Sequence, residues 1–221
     1  MIFRSLDREI SRLASMVIYV SLERLGFSRF TYSEVIFTVK LKEMVNAAPM
    51  GVFLNDAGEI RLKVYKGQRT YEMIVNGAKD CVLNITDDPM LFYNAIFEKD
   101  KISYIPAKRV SSPRIIDCDA YVECSIVNLA ICKEYVMVLL KPLLIDPAHG
   151  TVRTYNRAGP AIIEALICYS KIPYFKDADR EKAESLKKRI AMFRNIVYHS
   201  TRDKALRKIA TEILDRAEEI L

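Results

Sequence analysis

The sequence predicts an α+β fold, mainly β, in which an antiparallel barrel follows an N-terminal helix and precedes a C-terminal helical section. Apolar and polar residues alternate in several short runs between residues 31 and 86. Two long β-rich runs, Tyr121–Ile131 and Tyr135–Ile145, suit a barrel or a dimer interface. Helical spacing takes over beyond Gly150. We therefore expect residues 1–150 to hold the first helix and the barrel, and residues 151–221 to form helices packed on it.

The first part of the chain reads as a helix followed by a hairpin. Residues 5–25 have an apolar stripe at helical spacing, and Gly26 is placed to end that helix as its C-cap. Alternation then predicts strands, which are Thr31–Lys40, Asn46–Leu54 and Glu59–Lys66. The residues Asn55–Gly58 have turn chemistry, so the last two strands form an antiparallel hairpin.

Short helices and a strand fill the middle of the predicted barrel. A helix is expected over Thr70–Ala78, with Thr70 as its N-cap and Gly77 near its end, and a strand over Asp80–Thr86. Asp88 and Pro89 are the cap and first residue of a helix through Phe97.

Three helices are predicted in the C-terminal section. The first covers Pro160–Ser170, and the second begins after Asp177 or Asp179 and runs to about Tyr198. Thr201 is expected to open the last one.

Composition excludes several classes of protein. The 221 residues are 51% apolar and 28% charged with only seven glycines, which excludes a disordered or fibrous chain. No apolar run approaches the roughly 20 residues that span a bilayer, and residues 1–12 do not read as a signal peptide. Five cysteines, an odd number without a C-x-x-C pair, favour buried thiols over disulfides or a zinc site. We expect a cytoplasmic protein without a metal or a membrane partner.

The net charge of +6 raises the question of nucleic-acid binding. Residues 171–221 hold 13 Lys/Arg and 9 Asp/Glu, but the two signs are interspersed. Such mixing is typical of a solvated helix face, so the charge pattern argues against a nucleic-acid partner.

Two segments carry the densest polar signal. In Asn46–Val52, small residues and a proline let a flat ligand approach the backbone of an extended strand. In Tyr65–Thr70, two cations and a hydroxyl precede a helix, which is the chemistry of a phosphate site. The plain alternatives stay open, namely an edge-strand proline with small core residues and a capped turn with solvated bases.

These segments resemble the FMN-binding split-barrel superfamily, which includes flavin reductases and pyridoxamine 5′-phosphate oxidases. The order of four motifs carries the resemblance, and they are Tyr32–Ile36, Asn46–Val52, Tyr65–Tyr71 and Val82–Asp88. A family of uncharacterised prokaryotic flavoproteins within the superfamily is most similar. It also has a helical C-terminal region with segments like Tyr155–Ala158 and Ile162–Ile167.

The resemblance implies a flavin site residue by residue. The isoalloxazine and ribityl chain are expected along the segment Asn46, Ala47, Ala48, Pro49, Met50 and Gly51. Lys66, Arg69 and Thr70 are expected to hold the phosphate, and Asn84 to lie near the flavin. Asn156 and Arg157 complete the site, with the subunit that supplies them left open. Met73 departs from the asparagine usual in flavin reductases.

The resemblance therefore implies a homodimeric flavoprotein that binds FMN non-covalently at its subunit interface. The leading interpretation is an oxidoreductase with an unknown substrate and electron donor, and no residue is assigned a catalytic role. One alternative is an FMN carrier, sensor or scaffold without turnover. Another is a basic nucleic-acid-binding module that uses the C-terminal helices.

Overall fold

The computed structural model of the chain describes residues 22–147 and 152–221. The predicted helix over residues 5–25 therefore lies mostly outside the described residues, as does the loop around His149. The end of that helix is present, because residues 22–24 are helical and Gly26 follows with φ +87°. The Gly26 amide donates to the carbonyl of Glu23 at 2.9 Å, which confirms Gly26 as a C-cap.

Six strands form a closed antiparallel barrel in the order β1-β2-β3-β8-β7-β4, so the predicted mainly β, α+β fold is confirmed. A separate two-stranded ladder, β5-β6, lies in the connection between β4 and β7. The strands are β1 (Ser33–Leu41), β2 (Met44–Leu54), β3 (Ile60–Tyr65), β4 (Asp80–Ile85), β5 (Tyr104–Ile105), β6 (Arg114–Ile115), β7 (Ala120–Ile131) and β8 (Tyr135–Pro147).

Five α-helices and one 3₁₀ turn accompany these strands in the described part of the chain. They are α1 (Arg69–Val75), α2 (Pro89–Phe97), the 3₁₀ turn (Lys99–Lys101), α3 (Ala158–Phe175), α4 (Arg180–Ser200) and α5 (Lys204–Ile220). None of the helices in residues 22–147 and 152–221 is long and apolar enough to cross a bilayer. The five cysteines all lie in these ranges and are free thiols.

Two predicted helix starts, Thr70 as an N-cap and Thr201 as the opening of the last helix, are wrong, and in both cases a partner distant in sequence explains the difference. The N-cap of α1 is Gln68, and Thr70 is the second residue of the helix. The Thr70 hydroxyl instead accepts a hydrogen bond from the Asn46 side-chain amide at 2.9 Å. Thr201 ends α4 and forms a bridge with Thr31, while Asp203 caps α5 by accepting from two backbone amides. The Asp88 and Asp179 caps are confirmed.

The central part of strand β1 is buried on both faces, which explains why the apolar Ile36 interrupts its alternation. Val35, Phe37 and Val39 point into the barrel, where they join the main hydrophobic cluster. Ile36 points outward and is nevertheless fully buried, because it packs in a second cluster with Ala95 of α2. Helix α2 therefore covers the outer surface of the barrel beside β1 and β2.

The barrel is split where β2 meets β3. Strand β2 pairs with β1 along Met44–Val52, but with β3 only at Val52, Phe53 and Leu54. In the described structure the stretch 44–51 therefore has a strand on one edge only. Its other edge is available to side chains and ligands.

Buried charges fix the segment between β5 and β7. The Glu123 carboxylate is fully buried, accepts from the Lys108 amide at 2.8 Å and pairs with the Arg114 guanidinium. Arg114 also contacts Asp146 at 2.6 Å and lies over the Tyr121 ring. Every charge in this cluster therefore has an opposite partner, as buried charges require.

The described residues form two compact units, and the boundary lies between Tyr155 and Asn156. The first unit contains the barrel. The second contains α3, α4 and α5 together with the short segment Phe30–Tyr32. Helices α3–α5 bury their own apolar core, and Tyr32 attaches the short segment by donating its amide to the Ser200 carbonyl at 2.9 Å.

Candidate functional site

A cavity of about 390 Å³ lies at the open edge of β2. It is enclosed by β2, the start of α1, the end of α2 and the 3₁₀ turn. We call it the basic cavity. Its lining residues are Asn46, Ala48, Pro49, Met50, Gln68, Arg69, Thr70, Ala95, Ile96 and Lys99. Six of the residues that the sequence analysis singled out thus share one cavity, although they come from two separate segments.

Hydrogen bonds link the polar residues of the basic cavity into a chain. The Lys99 ammonium donates to Asn46 Oδ1 at 2.6 Å and to the Ala47 carbonyl at 3.0 Å. The Asn46 amide nitrogen in turn donates to the Thr70 hydroxyl at 2.9 Å. A hydroxyl that accepts this bond still has its own proton to donate. Thr70 can therefore offer a hydrogen bond to a ligand.

Lys99 is a residue of this cavity that the sequence analysis missed. It lies in a 3₁₀ turn, Lys99–Lys101, whose local sequence is typical of a charged turn exposed to solvent. Partial burial, with a smaller contribution from the positive charge of Arg69, lowers the pKa of Lys99. The described lining holds these two cations and no carboxylate, so the cavity is positively charged.

Pro49 marks the unpaired edge of β2. The Ala47 carbonyl accepts from Lys99 and therefore faces away from β1. Backbone groups two residues apart on a strand point to the same edge, so Pro49 also faces that way. A proline fits there because it has no amide hydrogen to satisfy. The backbone beside Pro49 is consequently accessible from the cavity.

The other predicted site residues lie outside the lining of the basic cavity. Ala47 is fully buried and contributes its carbonyl to Lys99, and Gly51 lies farther along β2, opposite Glu34. Lys66 is exposed before α1. Asn156 and Arg157 belong to the second unit, where the Asn156 side chain accepts from the amide of Gly159 at 3.1 Å.

Asn84 is completely enclosed by the protein. Its amide nitrogen donates to the Ile36 carbonyl at 2.8 Å and to the Thr38 hydroxyl. Its Oδ1 accepts from the amide of Ile115 at 2.8 Å. The side chain thus joins β4, β1 and β6, and it contacts no cavity described here.

A second cavity, of about 410 Å³, opens at the other end of α2. We call it the acidic cavity. Its lining residues are Glu34, Pro49, Asp87, Pro89, Phe92 and Tyr155. Pro49 lines both cavities, so the two are neighbours on the surface of the first unit. The described residues contain no group of side chains arranged to hold a metal ion.

Three solved structures are similar to this chain to different degrees. An FMN-bound protein from Methanosarcina mazei, of the family model DUF447, superposes with a TM-score of 0.51 at 20% identity, over 89% of this chain and 99% of that one. An FMN-binding protein from Thermus thermophilus gives a TM-score of 0.48 at 11% identity, over 55% of this chain and 73% of that one. A flavoredoxin from Methanosarcina acetivorans gives a TM-score of 0.47 at 15% identity, over 53% of this chain and 69% of that one.

The likeness to the Methanosarcina mazei protein shows that this chain shares the fold of that protein. The family is identified from the sequence. Residues 33–145, just over half of the chain, match the N-terminal domain of the protein family of unknown function DUF447, and the chain therefore belongs to that family.

Proposed function

We propose that this protein is a flavoprotein that holds FMN in the basic cavity, with the phosphate between Arg69 and Lys99. The observation that carries the proposal is the pairing of these two cations in one cavity without a carboxylate in its lining. Two like charges in one cavity raise the free energy of the free protein, and a bound phosphate relieves that repulsion. The FMN-bound relative of the same family model supports FMN as the anion.

The residues of the cavity fit a flavin phosphate. A volume of about 390 Å³ is in the range of small-molecule sites, roughly 300–1,000 Å³. Arg69, Lys99 and Thr70 supply charged and neutral donors of the kind that bind phosphate. Ala48 and Met50 offer a small and an apolar surface next to the open strand edge. This surface suits a flat ring better than a bulky polar group.

In this proposal the residues of the protein bind FMN and orient it. FMN, when bound, supplies hydride chemistry at its isoalloxazine ring. Lys99 and Thr70 fix both ends of the Asn46 side chain, so the donors around the cavity are set before a ligand arrives. Such preorganisation lowers the entropy that binding costs. We infer an oxidoreductase on this basis, with the substrate still to be identified.

We also propose that the protein acts as a homodimer with FMN at the subunit interface. The long strands β7 and β8 carry exposed apolar side chains, among them Ile131 at 68% exposure, Val127 and Leu143. Apolar side chains of this size gain free energy when a second subunit covers them. Light scattering on the purified protein is expected to give twice the mass of the chain. A monomer at micromolar concentration that still binds FMN contradicts the dimer part of the proposal.

The test of FMN binding is an absorbance spectrum before and after addition of FMN and desalting. Riboflavin, which lacks the phosphate, is the matched control ligand. We expect the protein to retain FMN and to lose riboflavin. Failure to retain either flavin, with a folded protein by circular dichroism, contradicts the proposed function.

A second experiment separates an oxidoreductase from a carrier. The FMN-loaded protein is mixed anaerobically with NADH, NADPH or a reduced deazaflavin, and the flavin absorbance is followed. A loss of flavin absorbance that is reversed when an acceptor is added supports an oxidoreductase. Tightly bound flavin that none of the three donors reduces supports a carrier, sensor or scaffold.

A further inference from the structure

We propose that the acidic cavity binds a flat organic cation, which is a substrate of this flavoprotein. The cavity and its charge stand on the structure alone, and only the description of the cation as a substrate rests on the proposed function. The chemical class is an aromatic or heteroaromatic ring that carries an amine or another positive charge.

The lining of the acidic cavity has the two features that recognise such a ligand. Glu34 and Asp87 contribute carboxylates, while Phe92 and Tyr155 contribute aromatic rings. Carboxylates bind ammonium groups through charge-assisted hydrogen bonds, and aromatic faces attract cations and stack on flat rings. None of the six described lining residues is a lysine, arginine or histidine. The charged groups among these described lining residues are thus acidic.

Backbone hydrogen bonds hold one side of the cavity in place. The Glu34 amide donates to the Tyr155 carbonyl at 2.9 Å, and the two residues form an isolated β-bridge. The neighbouring Thr154 is anchored as well, because its amide donates to the Leu25 carbonyl at 2.7 Å and its hydroxyl to Ser33 Oγ at 2.9 Å. Tyr155 is 42% exposed although its backbone is fixed, so its ring is accessible to a ligand.

Asp88 stabilises the other side of the acidic cavity, and it also excludes the helix N-terminus there as a site for an anion. The N-terminus of a helix attracts anions, and α2 begins at this cavity with Pro89. The Asp88 carboxylate already accepts from the Met90 amide at 2.8 Å and so occupies that N-terminus. Its own amide is held by the Thr86 hydroxyl at 3.1 Å. Asp87 therefore lies between two residues that are joined by a hydrogen bond, and it is exposed.

The position of the acidic cavity next to the basic cavity suggests a common purpose. Pro49 lines both, and α2 passes from Pro89 and Phe92 at one cavity to Ala95 and Ile96 at the other. At about 1.5 Å per residue, Phe92 and Ile96 are roughly 6 Å apart along the helix axis. The two cavities have opposite charge, so an anionic cofactor and a cationic second ligand are directed to different sides of Pro49.

Three probes that share one benzene ring test the charge preference. Benzylamine is cationic, benzyl alcohol is neutral and benzoate is anionic. Their dissociation constants are measured by chemical-shift titration on the full chain, with and without FMN. We expect benzylamine to bind about tenfold tighter than benzoate, with benzyl alcohol between them.

Two variants connect that preference to the cavity. Asp87→Asn keeps the shape of the side chain and is expected to weaken benzylamine about three- to tenfold while leaving benzyl alcohol unchanged. Tyr155→Leu keeps apolar bulk without the ring and is expected to weaken all three probes. Asp177→Asn, at an exposed aspartate outside the cavity, is the matched control and is expected to change none of them.

The outcomes separate this inference from the proposed function. Equal or tighter binding of benzoate, or an unchanged benzylamine affinity in Asp87→Asn, overturns the acidic cavity as a cation site whether or not FMN binds. If FMN fails to bind but the benzylamine preference is present and is lost in Asp87→Asn, the cation site stands. The proposed function then falls alone.

Discussion

Asn46 and Asn84 are both asparagines of the barrel, both are implied in flavin binding by the resemblance, and both are almost fully buried, at 2% and 0% exposure. Their hydrogen bonds differ in kind. Asn46 bonds to Thr70 and Lys99, two side chains that line the basic cavity with it. Asn84 bonds to the Ile36 carbonyl and the Ile115 amide, inside the protein.

The comparison teaches that burial alone does not separate a site residue from a structural one. A buried amide must have partners, and the identity of those partners indicates its role. Asn46 organises groups that a ligand can reach. Asn84 connects three strands and has no hydrogen-bonding capacity directed to a cavity. Substitutions at and around the two asparagines test this distinction.

The largest expected effect is on stability. Asn84→Leu has a similar volume but deprives the buried Ile115 amide and the Thr38 hydroxyl of their hydrogen bonds to the Asn84 side chain. Unsatisfied buried groups cost about 1–3 kcal/mol each, so the free energy of unfolding is expected to fall by about 3 kcal/mol. Urea denaturation measures it. The variant that remains folded is expected to bind FMN as the wild type does.

The matched substitution Asn46→Leu is expected to behave in the opposite way. It removes the acceptor that orients Lys99, so the FMN affinity is expected to fall more than the stability does. If Asn84→Leu abolishes FMN binding in a stable protein, the contrast between the two asparagines is wrong.

The next largest effect concerns Arg69. A hydrogen bond to a charged group contributes about 1.5–3 kcal/mol, so Arg69→Ala is expected to weaken FMN by roughly 10- to 100-fold. Riboflavin binding is expected to stay unchanged, because riboflavin has no phosphate. Fluorescence titration gives both dissociation constants.

Lys66→Ala is the matched control for Arg69→Ala and also a test of the resemblance. The resemblance implies that Lys66 holds the phosphate, whereas Lys66 does not line the basic cavity. We expect less than about a twofold effect on FMN affinity. An effect as large as that of Arg69→Ala indicates that the phosphate lies nearer to Lys66.

Lys99→Met is expected to weaken FMN by about tenfold, since one charged donor is lost while much of the apolar stem remains. Calorimetric titration measures it. Lys101→Met is the control, because Lys101 pairs with Glu98 at 2.7 Å and does not line the cavity. Equal effects of the two variants imply a general charge effect, and they contradict a specific contact.

The smallest effect is a pH dependence. The depressed pKa of Lys99 means that its ammonium loses a proton at a lower pH than an ordinary lysine does. The preference for FMN over riboflavin is therefore expected to decline as pH rises from about 7 toward the pKa of Lys99, while the phosphate stays doubly charged. Lys99→Arg is expected to keep the preference constant, because arginine remains protonated. A wild-type preference as constant as that of Lys99→Arg contradicts this role of the Lys99 charge.

Local patterns predicted most of the strands and helices. The alternation over Thr31–Lys40 and Glu59–Lys66 identified β1 and β3 within a few residues, because one side of each strand faces the barrel interior. The resemblance then pointed to the segment around Asn46 and Pro49. Cap rules placed Asp88 correctly because a cap depends on the next three residues only.

The remaining features depend on contacts between distant parts of the chain. Local sequence predicts Thr70 as a helix cap, because its partner Asn46 is 24 residues away and leaves no local signal. Lys99 joins Asn46 across 53 residues, from a turn without any local signal of function. The acidic cavity brings Asp87 to Tyr155 in the same way. Sequence periodicity reports which face of an element is buried, but not which surfaces meet.

We propose above all that the basic cavity recognises a phosphate attached to a flavin. The most direct test is the ratio of the dissociation constants of riboflavin and FMN for the unmodified protein, measured by fluorescence titration at low salt. Two cations and a hydroxyl that contact the phosphate predict a ratio of about 100 or more. A ratio near one contradicts the claim, because it means that the phosphate contributes nothing to binding.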